Sequence, residues 1–251
     1  MDILHVAIEG TIARITLNRP DKRNALNADL LLRLRAEFRA LAADARVKVI
    51  VLAANGKAFC AGADLEYLQD VSRYSAMENL ADSQLLQETF HEIYSCSKPV
   101  IARVHGAAIA GGCGLASVCD YVVASESAKF GYSEVKIGFI PAVVMVYLLR
   151  KIGDTQARRL LLSAETISAQ EAFRLGLATY CVPDADLDAF TNQLAETISQ
   201  NSASSMALTK EMLVNLHGMS LEAGLRYAAS MNAFTRMTDD CKAGIARFLG
   251  T

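Results

Sequence analysis

The chain has 251 residues, with 25 Lys and Arg against 27 Asp and Glu, and its formal net charge is −2. Hydrophobic residues make up 52% of it and charged residues 21%, which is enough apolar material for one large domain and too little charge for a disordered chain. This balance gives no basic field for nucleic acid or for an anionic membrane surface, so we expect neither as a partner.

The first residues alternate between apolar and polar from Ile3 to Ile8, and no basic segment with an apolar run precedes them. This pattern predicts a strand rather than a signal peptide. No apolar stretch of the sequence is long enough to span a bilayer, and the six cysteines form no CxxC pair. We therefore expect a cytoplasmic protein with free thiols and without a metal site.

Alternating strands and helices are predicted up to Pro141, and Asn27 is the expected N-cap of the first helix. Strands are expected at 3–8, 13–17, 47–53, 100–104 and 121–124, and helices at 27–41, at 77–95 and in a short segment that ends near 119. The nearly continuous apolar run at 47–53 predicts a strand buried on both faces. Such alternation implies a largely parallel sheet. Beyond Pro141 the periodicity is helical, with one short strand near 178–182.

Three segments resemble catalytic motifs but lack a residue that the chemistry requires. Ser95 stands where a zincin helix that opens at His91 needs its second histidine. Gly112-Cys113 replaces the Lys and Ser/Thr of a P-loop, and Val135 replaces the second glycine of a nucleophile elbow. Metalloprotease, nucleotidase and serine hydrolase activities are therefore weak interpretations.

Two loops rich in glycine and alanine carry the strongest functional signal. The first, 56–65, follows the predicted strand at 47–53, and the second, 105–114, follows the strand at 100–104. Ligands of open α/β folds bind at the carboxyl ends of strands, and loops without bulky side chains let backbone N–H groups reach a ligand. A helix that opens in the second loop would add free N–H groups and a dipole that favours negative charge. The alternative is that these glycines only permit close packing.

The two loops occur together with Asn18-Arg19-Pro20 and Asn24-Ala25-Leu26 upstream and with the segment 168–178 downstream. Over nearly its whole length the sequence resembles the crotonase superfamily of enoyl-CoA hydratases and isomerases. The resemblance implies an α/β fold, the crotonase (ClpP-like) spiral of ββα units, at residues 1–185, and a C-terminal helical region at 186–251 that serves trimerisation. It also implies an acyl-CoA thioester as substrate and a homotrimer or a dimer of trimers.

The resemblance also assigns roles to individual residues. The backbone N–H groups of Ala63 and Gly111 would form an oxyanion hole that holds the thioester oxygen as it becomes an enolate, and two fixed donors need not reorganise during the reaction. Coenzyme A enters as part of the substrate, so no separate cofactor is expected. For Lys22 and Arg23 the alternative role is a solvated basic turn. The implied substrate-binding residues are Lys22, Arg23, Ala25, Ala61, Gly62, Asp64, Leu65, Gly112, Gly114, Ser133 and Pro141.

The acid–base chemistry depends on one carboxylate. Hydratases of this family have two glutamates, and the corresponding positions here are Glu134 and Gly114, so the second carboxylate is missing. The apolar residues at 137–140 would desolvate Glu134 and raise its pKa, which suits proton transfer. The segments 102–106 and 133–144 are similar to the bacterial methylglutaconyl-CoA hydratase branch, which also has glycine at the Gly114 position.

Three functions remain open at this point. The first is hydration of a 2-enoyl-CoA thioester, with an acyl group that is branched or carboxylated as in the methylglutaconyl branch. The second is a Δ3,Δ2-enoyl-CoA isomerase, because one base can move a proton between two carbons of the same chain. The third is a non-catalytic acyl-CoA-binding or RNA-associated protein, and the net charge of −2 argues against RNA.

Overall fold

The structure is a computed structural model that describes residues 2–250, apart from the side chain of residue 65. In that range the strands are β1 (Leu4–Glu9), β2 (Ile12–Leu17), β3 (Val49–Ala54), β4 (Ala58–Cys60), β5 (Val100–Val104), β6 (Ala107–Ile109), β7 (Tyr121–Ser125), β8 (Lys129–Gly131), β9 (Thr166–Ser168) and β10 (Tyr180–Val182). The helices are α1 (Ala28–Ala43), α2 (Leu65–Val71), α3 (Ala76–Tyr94), α4 (Gly111–Ser117), α5 (Ala142–Ser163), α6 (Ala169–Arg174), α7 (Leu187–Ser199), α8 (Ala203–Leu216), α9 (Leu221–Thr235) and α10 (Asp239–Leu249).

The larger sheet has the strand order β1-β2-β3-β5-β7-β10. β1 and β2 form an antiparallel hairpin, and the other pairings in this sheet are parallel, as the alternation of strands and helices predicted. β3 is buried along its whole length, because Ile50 and Leu52 face the main core while Val49 and Val51 pack with α7 on the other face. The predicted strand with two buried faces is confirmed.

The smaller sheet has the order β4-β6-β8-β9, and its strands have three residues each. β4, β6 and β8 each follow a long strand of the larger sheet, so the chain repeats the two-strand unit that the resemblance implied. The parallel pairing of β4 with β6 brings the two glycine-rich loops side by side. None of these four strands was predicted, because three residues are too few to show an alternating pattern.

The main core lies under α1, α3 and α5. α1 begins at its predicted N-cap, where the Asn27 side chain accepts a hydrogen bond from Leu30 N–H at 3.1 Å. α5 is kinked at Gly153, whose φ of 75° is a conformation that glycine adopts without steric cost. The cysteines are free thiols, and four of them are buried in the core: Cys60, Cys96, Cys113 and Cys119.

The four helices after residue 186 differ in how they meet this core. Ile198 and its neighbours on α7 pack directly on the larger sheet. α8 is joined to the rest of the chain by the buried side chain of Lys210. Its ammonium donates to the Asp120 carboxylate at 2.5 Å and to the Lys98 carbonyl at 3.0 Å. Large apolar side chains stay exposed along and between α8, α9 and α10: Leu213, Leu221, Leu225, Phe234, Met237, Ile245, Phe248 and Leu249. In the described part of the chain no helix combines the length and the apolar character that a bilayer crossing requires.

Candidate active site

A buried asparagine holds the first glycine-rich loop in place. Asn24 has a left-handed backbone with a φ of 55°, and its side-chain amide donates to the carbonyls of Asn55 and Ala58 at 2.8 and 2.9 Å. Its side-chain oxygen accepts a hydrogen bond from the Arg19 N–H at 2.8 Å. Asn24 therefore ties the segment before α1 to the start of β4, from which the loop emerges.

Ala63, in this loop, has a fixed peptide orientation. Leu26 N–H donates to the Gly62 carbonyl at 2.6 Å, and the Leu26 carbonyl accepts from the Asp64 N–H at 3.1 Å. The N–H and C=O of a trans peptide point in opposite directions, so the Ala63 N–H points away from the Leu26 backbone. Among the described residues no group accepts this N–H, which leaves it as an oriented donor without a protein acceptor.

Gly111 provides a second donor of the same kind. It is the first residue of α4, where an N–H has no acceptor within the helix. Ala110 precedes it with a φ of 51° and a ψ of −124°, a strained conformation for alanine, and the Ala110 N–H donates to the Gly131 carbonyl at 2.7 Å. No acceptor for the Gly111 N–H is present in the part of the chain that the structure describes.

The two loops approach each other more closely than side chains would allow. A Cβ atom on Gly62 would lie 2.9 Å from the Ile109 carbonyl oxygen and 3.7 Å from Gly111 N. A Cβ atom on Gly112 would lie 2.1 Å from the Cys60 carbonyl oxygen. Both glycines are required for close packing, and this packing is what places the Ala63 and Gly111 main chains next to each other.

A cavity of about 360 Å³ opens in front of these loops. Ala63 and Gly111 line it, together with four more of the predicted site residues: Ala61, Ser133, Glu134 and Pro141. The rest of its lining is mostly apolar and comes from Leu26, α1, α2, α3, Ala110, the segment 137–140 and the start of α5. The structure thus brings the predicted oxyanion donors and the predicted acid–base residue to one cavity.

Glu134 is the ionisable group of this cavity that the sequence singled out. Its Oε2 atom is buried and has no hydrogen-bond partner among residues 2–250. Burial raises the pKa of the Glu134 carboxyl above its ordinary value, as its apolar neighbours predicted. A half-buried carboxyl with one unpartnered oxygen inside a cavity is typical of a group that transfers a proton.

Gly114, at the position of the missing second glutamate, lies beneath the cavity surface. A Cβ atom on Gly114 would lie 2.1 Å from Val144 Cγ1 and 3.0 Å from Phe90 Cε2. Val144 comes from α5 and Phe90 from α3, so two helices fill the space that a side chain at residue 114 would need. The site therefore has neither a second carboxylate at this position nor room for one.

Comparison with known proteins identifies the family of this site. The family model described as Enoyl-CoA hydratase/isomerase matches residues 7–251. The chain belongs to this family. A Thermus thermophilus protein provisionally named enoyl-CoA hydratase is 44% identical over 96% of this chain and 95% of its own length. The 2,3-dehydroadipyl-CoA hydratase of Escherichia coli is 34% identical over 99% of this chain and 96% of its own length.

Solved structures of the family share the fold. The crystal structure of an enoyl-CoA hydratase from Mycobacterium smegmatis matches with a TM-score of 0.95 at 31% identity, over 100% of this chain and 97% of that chain. The resemblance to the crotonase superfamily is thereby confirmed, and the protein is an enzyme of the enoyl-CoA hydratase/isomerase family.

The basic turn that the resemblance assigns to coenzyme A is linked to the first loop of this hydratase/isomerase. The Arg23 carbonyl accepts a hydrogen bond from the Ala61 N–H at 3.0 Å. The Lys22 ammonium is exposed and lies 2.5 Å from the Glu66 carboxylate of α2. An exposed ion pair of this kind contributes little to stability, so Lys22 is free to exchange Glu66 for another anion. Binding of coenzyme A by this turn stays a prediction.

Asp64 and Ala25 are tied together by one arginine. The Asp64 carboxylate accepts from Arg19 at 2.8 Å and caps α2 by accepting from the Glu66 N–H at 3.2 Å, while Arg19 also donates to the Ala25 carbonyl. Asp64 and Ala25 are both buried. Their contact with coenzyme A stays a prediction, and the side chain predicted beside them, that of Leu65, lies outside the described residues.

Sequence reasoning missed three polar residues of this enoyl-CoA hydratase/isomerase cavity, Tyr67, Asp82 and Ser83. Tyr67 of α2 and Asp82 of α3 both line the cavity. Burial, and then a hydrogen bond of its hydroxyl to the Asp82 carboxylate, raises the pKa of Tyr67, so the phenol stays protonated and acts as a donor. No local pattern links Tyr67 and Asp82, because they lie on different helices and reach the same cavity only in the folded chain.

Proposed function

We propose that this enzyme is an enoyl-CoA hydratase that adds water to a 2-enoyl-CoA thioester. One observation carries the proposal: Glu134, whose buried Oε2 atom has no described hydrogen-bond partner, lines the same cavity as two amide donors, on Ala63 and Gly111, that have no described protein acceptor. Two donors and one proton-transferring group are what enolate formation and its reversal require. The hydratase names of the similar proteins support the same reaction.

In the proposed mechanism the two amide N–H groups hold the thioester oxygen. The ionised Glu134 accepts a proton from water while the water oxygen bonds to C3, and the electrons of the double bond move onto the thioester oxygen as an enolate. The oxyanion donors stabilise that charge, and each is worth roughly 10²–10³ in rate. Glu134, now protonated, then delivers the proton to C2. The elements of water are added and nothing is oxidised.

We further propose that the reaction needs no cofactor besides the coenzyme A of the substrate itself. The steps above use only main-chain donors and one carboxyl of this chain. Full activity after exhaustive dialysis against a metal chelator is the expected result, and activity that returns only with an added metal would contradict it.

The second candidate function is a Δ3,Δ2-enoyl-CoA isomerase. It is favoured by one observation, the packing of Val144 over Gly114, which leaves the site with a single carboxylate at the predicted positions. An isomerase needs no bound water. One base removes a proton from C2 to form the enolate and returns it at C4 of the same acyl chain. Hydration by a single glutamate requires Glu134 to handle both the water and the C2 proton.

Mass spectrometry of products separates these functions. The purified protein is incubated with matched 2-enoyl- and 3-enoyl-CoA thioesters, including methylglutaconyl-CoA. A product heavier by one water from a 2-enoyl-CoA supports hydration, whereas a 3-enoyl-CoA converted to its 2-isomer without gain of mass supports isomerisation. Failure to convert any thioester that the protein nevertheless binds would instead favour a non-catalytic acyl-CoA-binding protein.

We propose a branched acyl group for the substrate, on the similarity of the segments 102–106 and 133–144 to the methylglutaconyl-CoA hydratase branch. The apolar lining of the cavity supports branched carbon chains, because Leu68, Val71 and Leu86 offer contacts to methyl groups. A higher kcat/KM for branched than for straight 2-enoyl-CoA thioesters of equal length is the expected result.

We propose that the protein assembles as a homotrimer or a dimer of trimers. The exposed apolar side chains of α8 to α10, Phe248 and Leu225 among them, support burial between subunits. Light scattering coupled to size exclusion measures the mass in solution. A mass three or six times that of the chain is expected, and a monomer at micromolar concentration would contradict the proposal.

A further inference from the structure

The cavity carries a tyrosine and an aspartate among mostly apolar side chains. Tyr67 and Asp82 come from successive helices and both line this cavity, and burial and then the nearby Asp82 carboxylate raise the pKa of the Tyr67 hydroxyl. Around them the lining consists largely of apolar side chains such as Leu68, Val71 and Leu86. An acyl chain held in this cavity therefore shares it with the Asp82 carboxylate.

The ionisable groups that line this cavity are acidic. Asp82 and Glu134 both line it, and among the described lining residues there is no Lys, Arg or His. Asp82 forms no ion pair within residues 2–250. The cations near the first loop, Arg19 and Lys22, are paired with Asp64 and Glu66 and lie outside the lining.

This arrangement has a consequence for charged acyl groups. An acyl chain that ends in a carboxylate would lose water on entering and would meet Asp82 without a compensating cation. Desolvation of an unpaired charge and repulsion between like charges both disfavour such binding. A neutral chain of the same length carries no charge that Asp82 could repel.

We propose that Asp82 determines substrate specificity by excluding acyl groups that end in a carboxylate, so that the enzyme acts on neutral acyl-CoA thioesters. The inference rests on the proposed hydration at the same site and narrows its substrate class. It keeps the branched carbon skeleton of the methylglutaconyl branch but excludes its terminal carboxylate. Tyr67 is a positioning residue here, because it lines the same cavity with its hydroxyl near the Asp82 carboxylate.

The test uses two thioesters that differ only in a terminal carboxylate, 2-hexenoyl-CoA and 2,3-dehydroadipyl-CoA. The measured quantity is the ratio of their kcat/KM values. We expect the wild type to prefer 2-hexenoyl-CoA strongly, and Asp82→Asn to lower this preference about tenfold, since the substitution removes the charge but keeps the shape. The Escherichia coli relative named for 2,3-dehydroadipyl-CoA serves as the positive control for that substrate.

Two further variants make the result specific to Asp82. Asp70→Asn removes an equal charge from the exposed face of α2, outside the cavity lining, and should leave the ratio unchanged. Tyr67→Phe keeps the ring but removes the donor from Asp82, which exposes more negative charge to the substrate. Tyr67→Phe should therefore strengthen the preference for 2-hexenoyl-CoA, opposite to the effect of Asp82→Asn.

Calorimetric binding of hexanoyl-CoA and adipyl-CoA separates the failure of this inference from the failure of the proposed hydration. If neither enoyl thioester is hydrated but Asp82→Asn still improves binding of adipyl-CoA relative to hexanoyl-CoA, only the hydratase proposal fails. A wild type that hydrates both thioesters equally well, or an Asp82→Asn variant with an unchanged ratio in both kinetics and binding, overturns the role of Asp82.

Discussion

The two walls of the cavity are built in different ways. The oxyanion wall, formed by the main chain at 61–63 and 110–112, offers backbone N–H groups, and its glycines leave no space for a Cβ atom. The acyl wall, formed by the cavity-facing side chains of α2 and α3, offers Tyr67, Asp82 and apolar groups on two helices. A side chain added at a glycine of the oxyanion wall must disturb the packing. A substitution in the acyl wall mainly changes the side chains that contact the substrate. The reaction chemistry therefore depends on backbone packing, whereas substrate specificity depends on side chains.

The largest expected effect comes from Glu134, which serves the chemistry but belongs to neither wall. Glu134→Gln keeps the shape and removes the proton-accepting group, so kcat should fall by roughly 10²–10⁴. Binding of a saturated acyl-CoA, measured by calorimetry, should stay nearly unchanged. A variant that retains most of its kcat would show that Glu134 is not the acid–base group.

Breaking the oxyanion wall should cost stability as well as activity. Gly112→Ala places a Cβ atom 2.1 Å from the Cys60 carbonyl oxygen, and we expect a loss of about 3 kcal/mol in the free energy of unfolding. Gly244→Ala is the matched control, because an added Cβ there meets nothing within 4 Å in the exposed helix α10. Urea denaturation measures both variants, and equal stabilities would contradict the proposed close packing.

A smaller effect is expected where α5 packs over the missing carboxylate. Gly114→Ala directs a Cβ atom at Val144 Cγ1 and should destabilise the fold by about 1–3 kcal/mol. Combining it with Val144→Ala makes room for the new atom, so the double variant should be more stable than the two single effects predict, by about 1 kcal/mol. Strict additivity in thermal unfolding would mean that the two positions do not compete for the same space.

The smallest change is expected in the pH dependence of the wild type. Glu134 must be ionised to accept a proton from water, and burial raises its pKa because it disfavours the charged form. As the pH falls, kcat/KM should therefore begin to decline at a higher pH than an ordinary glutamate, with a pKa of about 4.3, would allow. A profile that stays flat down to that value would mean that the carboxyl is solvated in the free enzyme.

The sequence predicted the oxyanion wall better than the acyl wall, for a physical reason. β3 and β5 are buried on both faces, so their apolar runs are visible locally, and the loops that follow them contain glycines that only close packing explains. The strands β4 and β6 were not visible, since three residues are too few to show an alternating pattern.

The acyl wall could not be read from spacing. Tyr67 and Asp82 belong to two different helices, and their contact depends on how α2 and α3 pack rather than on a repeat in the chain. The sequence showed that Gly114 replaces a carboxylate. It did not show that Val144, on a helix 30 residues further on, fills the space that a side chain at residue 114 would need. Long-range packing is the part of the site that single-sequence patterns do not contain.

The thiols beneath the oxyanion wall provide a built-in reporter. Cys60, whose carbonyl touches Gly112, and Cys113, in α4, are fully buried, and burial raises the pKa of each thiol to about 12. Alkylating reagents react with the thiolate form, so neither sulfur can react until the structure that buries it opens locally. The rate at which these two thiols are alkylated under native conditions therefore measures how often this region opens. The measurement requires no engineered label.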